Sequence, residues 1–316
     1  MIRYLLRRTL LLLVSLFVAS VLIFLLLRLL PGDVATTVGG LRATPEQLAK
    51  IRANLGLDRP LTTQYGSWLG GVLRGDFGKS QLTGVSVSAE LATKLQVTAP
   101  LVGGGIAVAL LLAVPFGILA AVRHRYAVGG GISAVAQLGI AVPTFWLGLV
   151  LALLFAIELR VLPAQGFPVD GWQSPGLALR ALILPWLALG LSEGAVLLRF
   201  VRSAVLDVLS ADYLRTARAK GRTRLGALLT HGLRNAALPV TSILGLQIAG
   251  LIVGAVVVEQ VFALPGVGTM LLADVGNRDL VKVQGEVLVV SAAVLVISFA
   301  IDIVHRAIDP RLREAG

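Results

Sequence analysis

The sequence has no cysteine, few charged residues and few histidines, and each of these scarcities excludes a class of protein or site. Without cysteine, the chain cannot form disulfides, thiolate metal sites or a cysteine nucleophile. Its histidines (His124, His231 and His305) lie at predicted helix ends or in loops, and their spacing is not that of a metal-ligand set. Only 14% of the 316 residues are charged and 56% are hydrophobic, which excludes a soluble globular domain.

Several catalytic and nucleotide-binding motifs are also missing. Gly78-Lys79-Ser80 has the form of a P-loop end, but Leu73 stands where the pattern requires its first glycine. Neither a G-x-S-x-G elbow nor an H-E-x-x-H motif occurs. We therefore predict that the chain is not an enzyme and binds no cofactor or metal. The energy for any transport must come from an ion gradient or from a partner.

The hydrophobic residues form long runs that predict an all-α membrane protein. A helix needs about 20 apolar residues to cross a bilayer. The first run follows Arg3, Arg7 and Arg8 but is too long for a signal peptide, so we predict a retained helix. The predicted spans are 9–30, 97–122, 132–157, 178–199, 238–261 and 285–305.

Lysine and arginine are distributed unequally between alternate loops, which predicts the orientation. The two termini, the 123–131 turn and the 200–234 segment together hold sixteen, with Arg199 included, whereas the 158–180 and 262–286 loops hold four. By the positive-inside rule, both termini and the 200–234 loop are cytoplasmic. The net charge of +11 is therefore explained by orientation in a membrane, and no nucleic-acid partner is predicted.

The loop after the first span carries the signals of a small folded cap. Thr44-Pro45-Glu46-Gln47 is typical of a helix start, with threonine as N-cap and glutamine three residues later. Leu48, Ile51 and Leu55 then repeat with helical spacing, and Gly56 ends the pattern. We divide the chain into tail and first helix (1–30), external cap loop (31–96), five-helix core (97–305) with a cytoplasmic loop at 200–236, and cytoplasmic tail (306–316).

Polar residues within the predicted spans are few. An ionisable side chain inside a membrane is costly and marks a functional hypothesis. Two roles are consistent with the sequence, namely pairing of helices and lining of a pathway. The residues concerned are Gln137, Glu193 and Gln247. An ion-coupled carrier or channel that acts without an ATPase is the alternative class, but such proteins usually carry more intramembrane charge and often a repeat.

The cytoplasmic segment 204–236 contains no proline and is predicted to be helical throughout. Ala217 and Gly221, four residues apart, would lie on one face and give a smooth surface that another protein can approach. Arginines and lysines cover the rest of the helix. Two interpretations are equally supported by these residues: a helix lying on anionic lipid headgroups, and a helix that docks onto a partner.

The stretch 212–221 resembles the coupling motif of ATP-binding-cassette importer permeases. Ala217 and Gly221 match its alanine and glycine, whereas Arg215 and Thr216 depart from the general pattern as in the dipeptide/oligopeptide branch. Nearly the whole chain is similar to that branch, and the long loop after the first span is characteristic of its B-type subunit. The further matching motifs are Arg3-Tyr4-Leu5-Leu6-Arg7-Arg8, Leu30-Pro31-Gly32-Asp33, Leu55-Gly56-Leu57-Asp58-Arg59-Pro60-Leu61, Gly75-Asp76-Phe77-Gly78, Val142-Pro143-Thr144-Phe145-Trp146, Glu259-Gln260-Val261-Phe262, Pro265-Gly266-Val267-Gly268, Arg278-Asp279 and Val283-Gln284-Gly285.

The resemblance implies a type I importer permease in the bacterial cytoplasmic membrane. Its implied partners are a second homologous permease, two cytoplasmic ATP-binding subunits that bind ATP and magnesium, and an external substrate-binding protein. Di- or oligopeptides are the expected substrates, although importers of nickel, heme and glutathione share the architecture. The residues that would dock onto an ATPase are Tyr213, Arg215, Thr216, Ala217, Lys220 and Gly221.

Overall fold

The computed structural model describes residues 2–29, 36, 39, 43–54 and 56–308, and within them the chain is built of helices. The one β-bridge among these residues joins Lys79 and Ser86. The helices are α1 (Ile2–Leu29), α2 (Pro45–Asn54), α3 (Leu61–Val72), α4 (Val87–Val122), α5 (Ala127–Ala141), α6 (Thr144–Ala152), α7 (Pro175–Ser210), α8 (Asp212–Ala219), α9 (Arg224–Ala227), α10 (Leu233–Val261), α11 (Val267–Asn277) and α12 (Leu280–Ile308).

Five of the predicted spans correspond to helices long and apolar enough to cross a bilayer. They are α1, α4, α7, the stretch Arg224–Val261 that includes α10, and α12. The all-α membrane class predicted from the sequence is therefore confirmed. Helices α4 and α7 extend beyond the predicted spans, α4 at its N-terminal end and α7 at its C-terminal end, and both extensions run into more polar sequence.

The third predicted span, 132–157, is not one straight helix. α5 and the segment Thr144–Glu158, which begins with α6 and ends in a π-helical turn, meet at a bend of 102°. Pro143 causes the break, because it has no amide hydrogen to donate and disfavours helical geometry at the preceding residue. Val142 is accordingly extended, with φ −88° and ψ 121°. The bent pair would count as a sixth crossing.

The chain forms two compact units. Unit 1 comprises the described parts of 1–9, 98–265 and 296–316, and unit 2 comprises the described parts of 10–97 and 266–295.

Helix α7 is at the centre of unit 1. In its most apolar stretch 61% of residues are buried, against 33% or less in the other candidate spans. Gly190 allows α4 to pack closely against it, since a Cβ at that position would lie 2.4 Å from the Cβ of Val108. The indole nitrogen of Trp186 donates a hydrogen bond to the carbonyl of Pro100, 2.9 Å away. A small residue and a partly buried hydrogen bond thus help to hold α4 against α7.

The N-terminal part of unit 2 contains the predicted cap helix. The backbone amide of Thr44 donates to Gln47 Oε1 (2.9 Å), and the amide of Gln47 donates to Thr44 Oγ1 (3.3 Å). This reciprocal pair is the predicted capping box. Gly56 ends the helix with φ +66°, also as predicted. Leu55, the motif at 30–33 and the tail from 309 onward lie outside the described residues.

Unit 2 also contains a buried cluster of charges. Lys282, only 6% exposed, lies 2.9 Å from a carboxylate oxygen of Glu90 and 2.8 Å from one of Asp274. The Ser80 hydroxyl donates to Asp279 Oδ2 at 2.5 Å, and Asp279 is 2% exposed. The predicted spans place Lys282 in the 262–286 loop. It is instead a buried residue of α12, paired with carboxylates from α4 and α11.

Candidate functional site

The segment after α7 differs from the continuous helix predicted over 204–236. α7 ends at Ser210, and Ala211 is extended (φ −69°, ψ 144°) before α8 begins at Asp212. After a turn, Thr223 caps α9 through a hydrogen bond from the Gly226 amide to its side-chain oxygen (3.1 Å). A π-helical turn, Leu228–Gly232, then leads into α10. α8 is therefore a separate short helix.

Gly221 ends α8 and does not belong to its face. Its φ is +88°, the left-handed conformation that glycine adopts at least cost. The Gly221 amide donates to the Arg218 carbonyl (2.9 Å), and the Arg222 amide donates to the Ala217 carbonyl (3.4 Å). These bonds form a Schellman motif. The prediction that Ala217 and Gly221 share one helical face is wrong. A glycine that follows basic residues in the last turn is a known sequence signal for the end of a helix, and it could have been recognised here.

The inward face of α8 packs on the core of unit 1. Leu214 is fully buried there, and Ala217 is partly buried against the same cluster. Gly232 also packs against this leucine, since a Cβ at position 232 would lie 3.2 Å from Leu214 Cδ1. The Tyr213 hydroxyl accepts a hydrogen bond from Asn235 Nδ2 (3.0 Å). Leu214 therefore anchors α8, and Ala217 serves the chain's own packing.

The outward face of α8 is formed by Asp212, Arg215, Thr216 and Ala219, which recur with helical spacing and are all exposed. Arg215 and Asp212 form an ion pair at 3.3 Å, but both side chains are largely exposed, so the pair contributes little to stability. Thr216 and Ala219 are small. The outward face therefore offers a shallow surface between charged side chains.

The flanks of α8 are basic. Arg218, Lys220 and Arg222 are exposed, whereas Arg224 donates from Nη1 to the Val122 carbonyl (3.2 Å). An exposed basic rim around small residues fits either an acidic groove on a partner or anionic headgroups.

Two of the three polar residues predicted within the spans are brought together. Gln247 Nε2 on α10 donates to Glu193 Oε2 on α7 at 3.1 Å. Gln137 lies on α5 with an exposed side chain, and among the described residues it makes no hydrogen bond to either of them. Beside Glu193, the hydroxyls of Ser192 and Thr144 are 2.8 Å apart, a pair that the sequence did not reveal because they are far apart along the chain.

Other intramembrane carboxylates have evident partners. Asp302 forms an ion pair with Arg8 at 2.6 Å, and Glu259, which is fully buried, accepts a hydrogen bond from Thr98 Oγ1 at 2.6 Å. Both interactions join distant parts of unit 1, and both are explained by the packing of its helices.

Comparison with known proteins identifies relatives over nearly the full length of the chain. Residues 113–314 match the family described as "Binding-protein-dependent transport system inner membrane component", and residues 1–98 match its N-terminal counterpart, "Binding-prot-dependent transport system membrane comp, N-term". The "Glutathione transport system permease protein GsiC" of Salmonella choleraesuis (strain SC-B67) and that of Salmonella typhi are each 41% identical over 314 residues. The GsiC of Escherichia coli (strain K12) is 39% identical over 314 residues. Each alignment covers 99% of both chains.

Proposed function

The chain belongs to the family of binding-protein-dependent transport system inner membrane components, and from that premise we propose that it is one of two permeases in an ATP-driven importer of short peptides. In this proposal it forms the translocation path with a second homologous permease. Two cytoplasmic subunits bind ATP and magnesium and hydrolyse the ATP, and an external binding protein delivers the substrate. The chain itself performs no bond chemistry. ATP binding and hydrolysis by the partners bias two packings of the permease helices.

The observation that carries the proposal is the full-length similarity to permeases named for glutathione transport. Glutathione is a tripeptide, so it belongs to the peptide class predicted from the sequence. Nickel and heme differ from it in charge and shape, and the named relatives give no support to either. We therefore propose short peptides as the substrate class, with glutathione as the first compound to test.

We further propose that the outward face of α8 docks onto an ATP-binding subunit. The α8 helix is anchored to unit 1 by the buried Leu214, as a helix that transmits motion between two proteins would need to be. Its exposed face is small in the middle and basic at the rim. A surface-lying membrane helix would normally expose apolar side chains toward the lipid. The apolar Leu214 instead points into unit 1, which favours docking over the headgroup interpretation.

The experiment that tests the substrate class uses the assembled importer in liposomes. We expect ATP-dependent uptake of labelled glutathione or a labelled dipeptide, with competition by other short peptides and none by nickel or heme. Competition by nickel or heme at concentrations that leave ATP hydrolysis intact would contradict the peptide assignment. Uptake driven by an ion gradient without ATP would favour the alternative of an ion-coupled carrier.

The orientation is a separate prediction. Because the chain contains no cysteine, every introduced cysteine gives an unambiguous labelling signal. We expect cysteines at Ser67 in α3 and at Ser174 before α7 to react with an impermeant maleimide in intact cells. A cysteine at Ser210, the last residue of α7, should react only after permeabilisation, because the positive-inside rule places that end in the cytoplasm. Labelling of Ser210→Cys in intact cells would reverse the proposed orientation.

A further inference from the structure

Glu193 is a carboxylate midway along a membrane-spanning helix, and no lysine or arginine in the described part of the chain forms an ion pair with it. Glu193 is midway along the 36-residue α7, and Gln247 is midway along the 29-residue α10. Both side chains are partly buried. Among the described residues, Glu193 forms no ion pair, in contrast to Asp302 with Arg8.

Gln247 orients this carboxylate without saturating it. Gln247 Nε2 lies 3.1 Å from Glu193 Oε2 and 3.4 Å from the Glu193 carbonyl oxygen, so one amide group holds both the side chain and the backbone. A neutral amide donates hydrogen bonds but adds no positive charge. Oε1 accepts no hydrogen bond from the described residues. The neighbouring hydroxyls of Ser192 and Thr144 bond to each other.

The free oxygen lies beside Gly250 of α10. A Cβ built on Gly250 of α10 would have Glu193 Oε1 as its single near neighbour, at 4.0 Å. Gly250 is exposed, and Leu246 and Val253 on the same face of α10 are 77% and 66% exposed. Glycine at this position therefore leaves an approach to the carboxylate from outside unit 1.

We propose that Glu193, held in place by Gln247, binds the ammonium group of the transported substrate during its passage. An ionised carboxylate inside a membrane is costly unless a positive charge accompanies it, so a cation from outside the chain would stabilise this one. An ammonium is a compact cation with three donors, which suits one accessible carboxylate oxygen. This inference rests on the proposed function, because short peptides, glutathione included, carry a free amino group that is protonated at neutral pH.

Other cations are less well matched to this position. Lipid ammonium headgroups lie at the bilayer surface, whereas Glu193 lies at the middle of its helix. A lysine or arginine of the second permease would make Glu193 an assembly contact. In that case its loss should separate the two permeases, an effect that loss of a substrate contact does not have.

The test compares two substrates in two variants of the complete importer. The substrates are a labelled dipeptide and the same dipeptide with an acetylated N-terminus, and the same binding protein serves all measurements. For Glu193→Gln we expect uptake of the free-amine peptide to fall roughly ten- to hundredfold, the size of a lost charge-assisted hydrogen bond. Uptake of the acetylated peptide should fall much less, because that peptide has no ammonium group for Glu193 to bind. Glu158→Gln, which neutralises an exposed carboxylate at the end of the π-helical turn after α6, is the matched control and should leave both uptakes unchanged.

Three results would count against the inference. Equal loss of both substrates in Glu193→Gln would assign the residue a structural role. An unchanged preference for the free amine would exclude contact with the ammonium. Failure of Glu193→Gln to co-purify with the second permease would assign it to the permease interface. If the unmodified importer moves neither peptide with ATP, the proposed function itself has failed, and that result is visible before any variant is made.

Discussion

Replacing Ala219 with tryptophan is expected to reduce peptide uptake sharply while the permease remains inserted and paired with its partner. Ala219 lies on the exposed outward face of α8, opposite the buried Leu214. Because this side chain is exposed, we expect added bulk there to act mainly on a docked partner. Overpacking a tight contact costs about 1–3 kcal/mol. That is about a five- to 150-fold loss in the docking equilibrium.

The measurement is co-purification of the ATP-binding subunits, together with uptake at matched expression. Arg218→Ala is the matched control, because it removes an exposed charge from the same helix, worth about 0–1 kcal/mol, and adds no bulk. If α8 lay on lipid headgroups, the order would reverse, since loss of charge would weaken binding and an added tryptophan would strengthen it. Retained docking in Ala219→Trp with loss in Arg218→Ala would therefore refute the docking interpretation.

Ala219 is a better position for this test than Gly221. A valine at Gly221 would have to adopt φ +88°, which strains the backbone even where no partner is bound. A Cβ at Gly221 would have no neighbour within 4 Å, so it would cause no steric clash in the isolated chain. The cost of the substitution there would be backbone strain alone. Loss of uptake in Gly221→Val would thus have two explanations, whereas Ala219 is the last helical residue of α8 and does not have a positive φ.

Lys282→Met is expected to destabilise the chain by about 3–5 kcal/mol. Lys282 is buried and lies within 2.9 Å of oxygens from both Glu90 and Asp274. Removing this cation leaves Asp274, which is buried, and Glu90, which is partly buried, without their positive partner, and Glu286 is fully buried nearby on the same helix. We expect a lower thermal unfolding temperature for the purified permease and a lower yield of folded protein.

Two further variants make this prediction specific to the cluster. Lys79→Met removes an exposed lysine and should leave the unfolding temperature nearly unchanged. Adding Glu90→Gln to Lys282→Met removes one uncompensated charge and should restore part of the lost stability. If Lys282→Met unfolds at the same temperature as the unmodified chain, the cluster does not stabilise unit 2.

Features set by local sequence were predictable. The spans follow from hydrophobic runs, because backbone groups in a bilayer must be satisfied within a helix. The capping box at Thr44 and Gln47 and the stop at Gly56 depend on residues within three or four positions of one another. The family was likewise recognisable, because its motifs lie in order along the chain.

Features that depend on distant residues or on competing local signals were missed. Pro115 and Pro185 remain inside helices, whereas Pro143 ends one, and the hydrophobic pattern alone does not distinguish these cases. The partners of Lys282 come from helices far apart in sequence, so their pairing exists only after folding. The sequence predicted that Glu193 could pair with a polar group on another helix, but it did not identify Gln247 as the partner.

The central claim is that this chain is a permease driven by separate ATP-binding subunits. Its most direct test is uptake of labelled peptide by sealed liposomes that contain the complete importer, with the binding protein outside and ATP enclosed. We predict accumulation that requires both ATP and the binding protein and that stops when ATP hydrolysis in the partner subunits is blocked. Accumulation that persists without ATP, or that the permeases support alone under an ion gradient, would contradict the account.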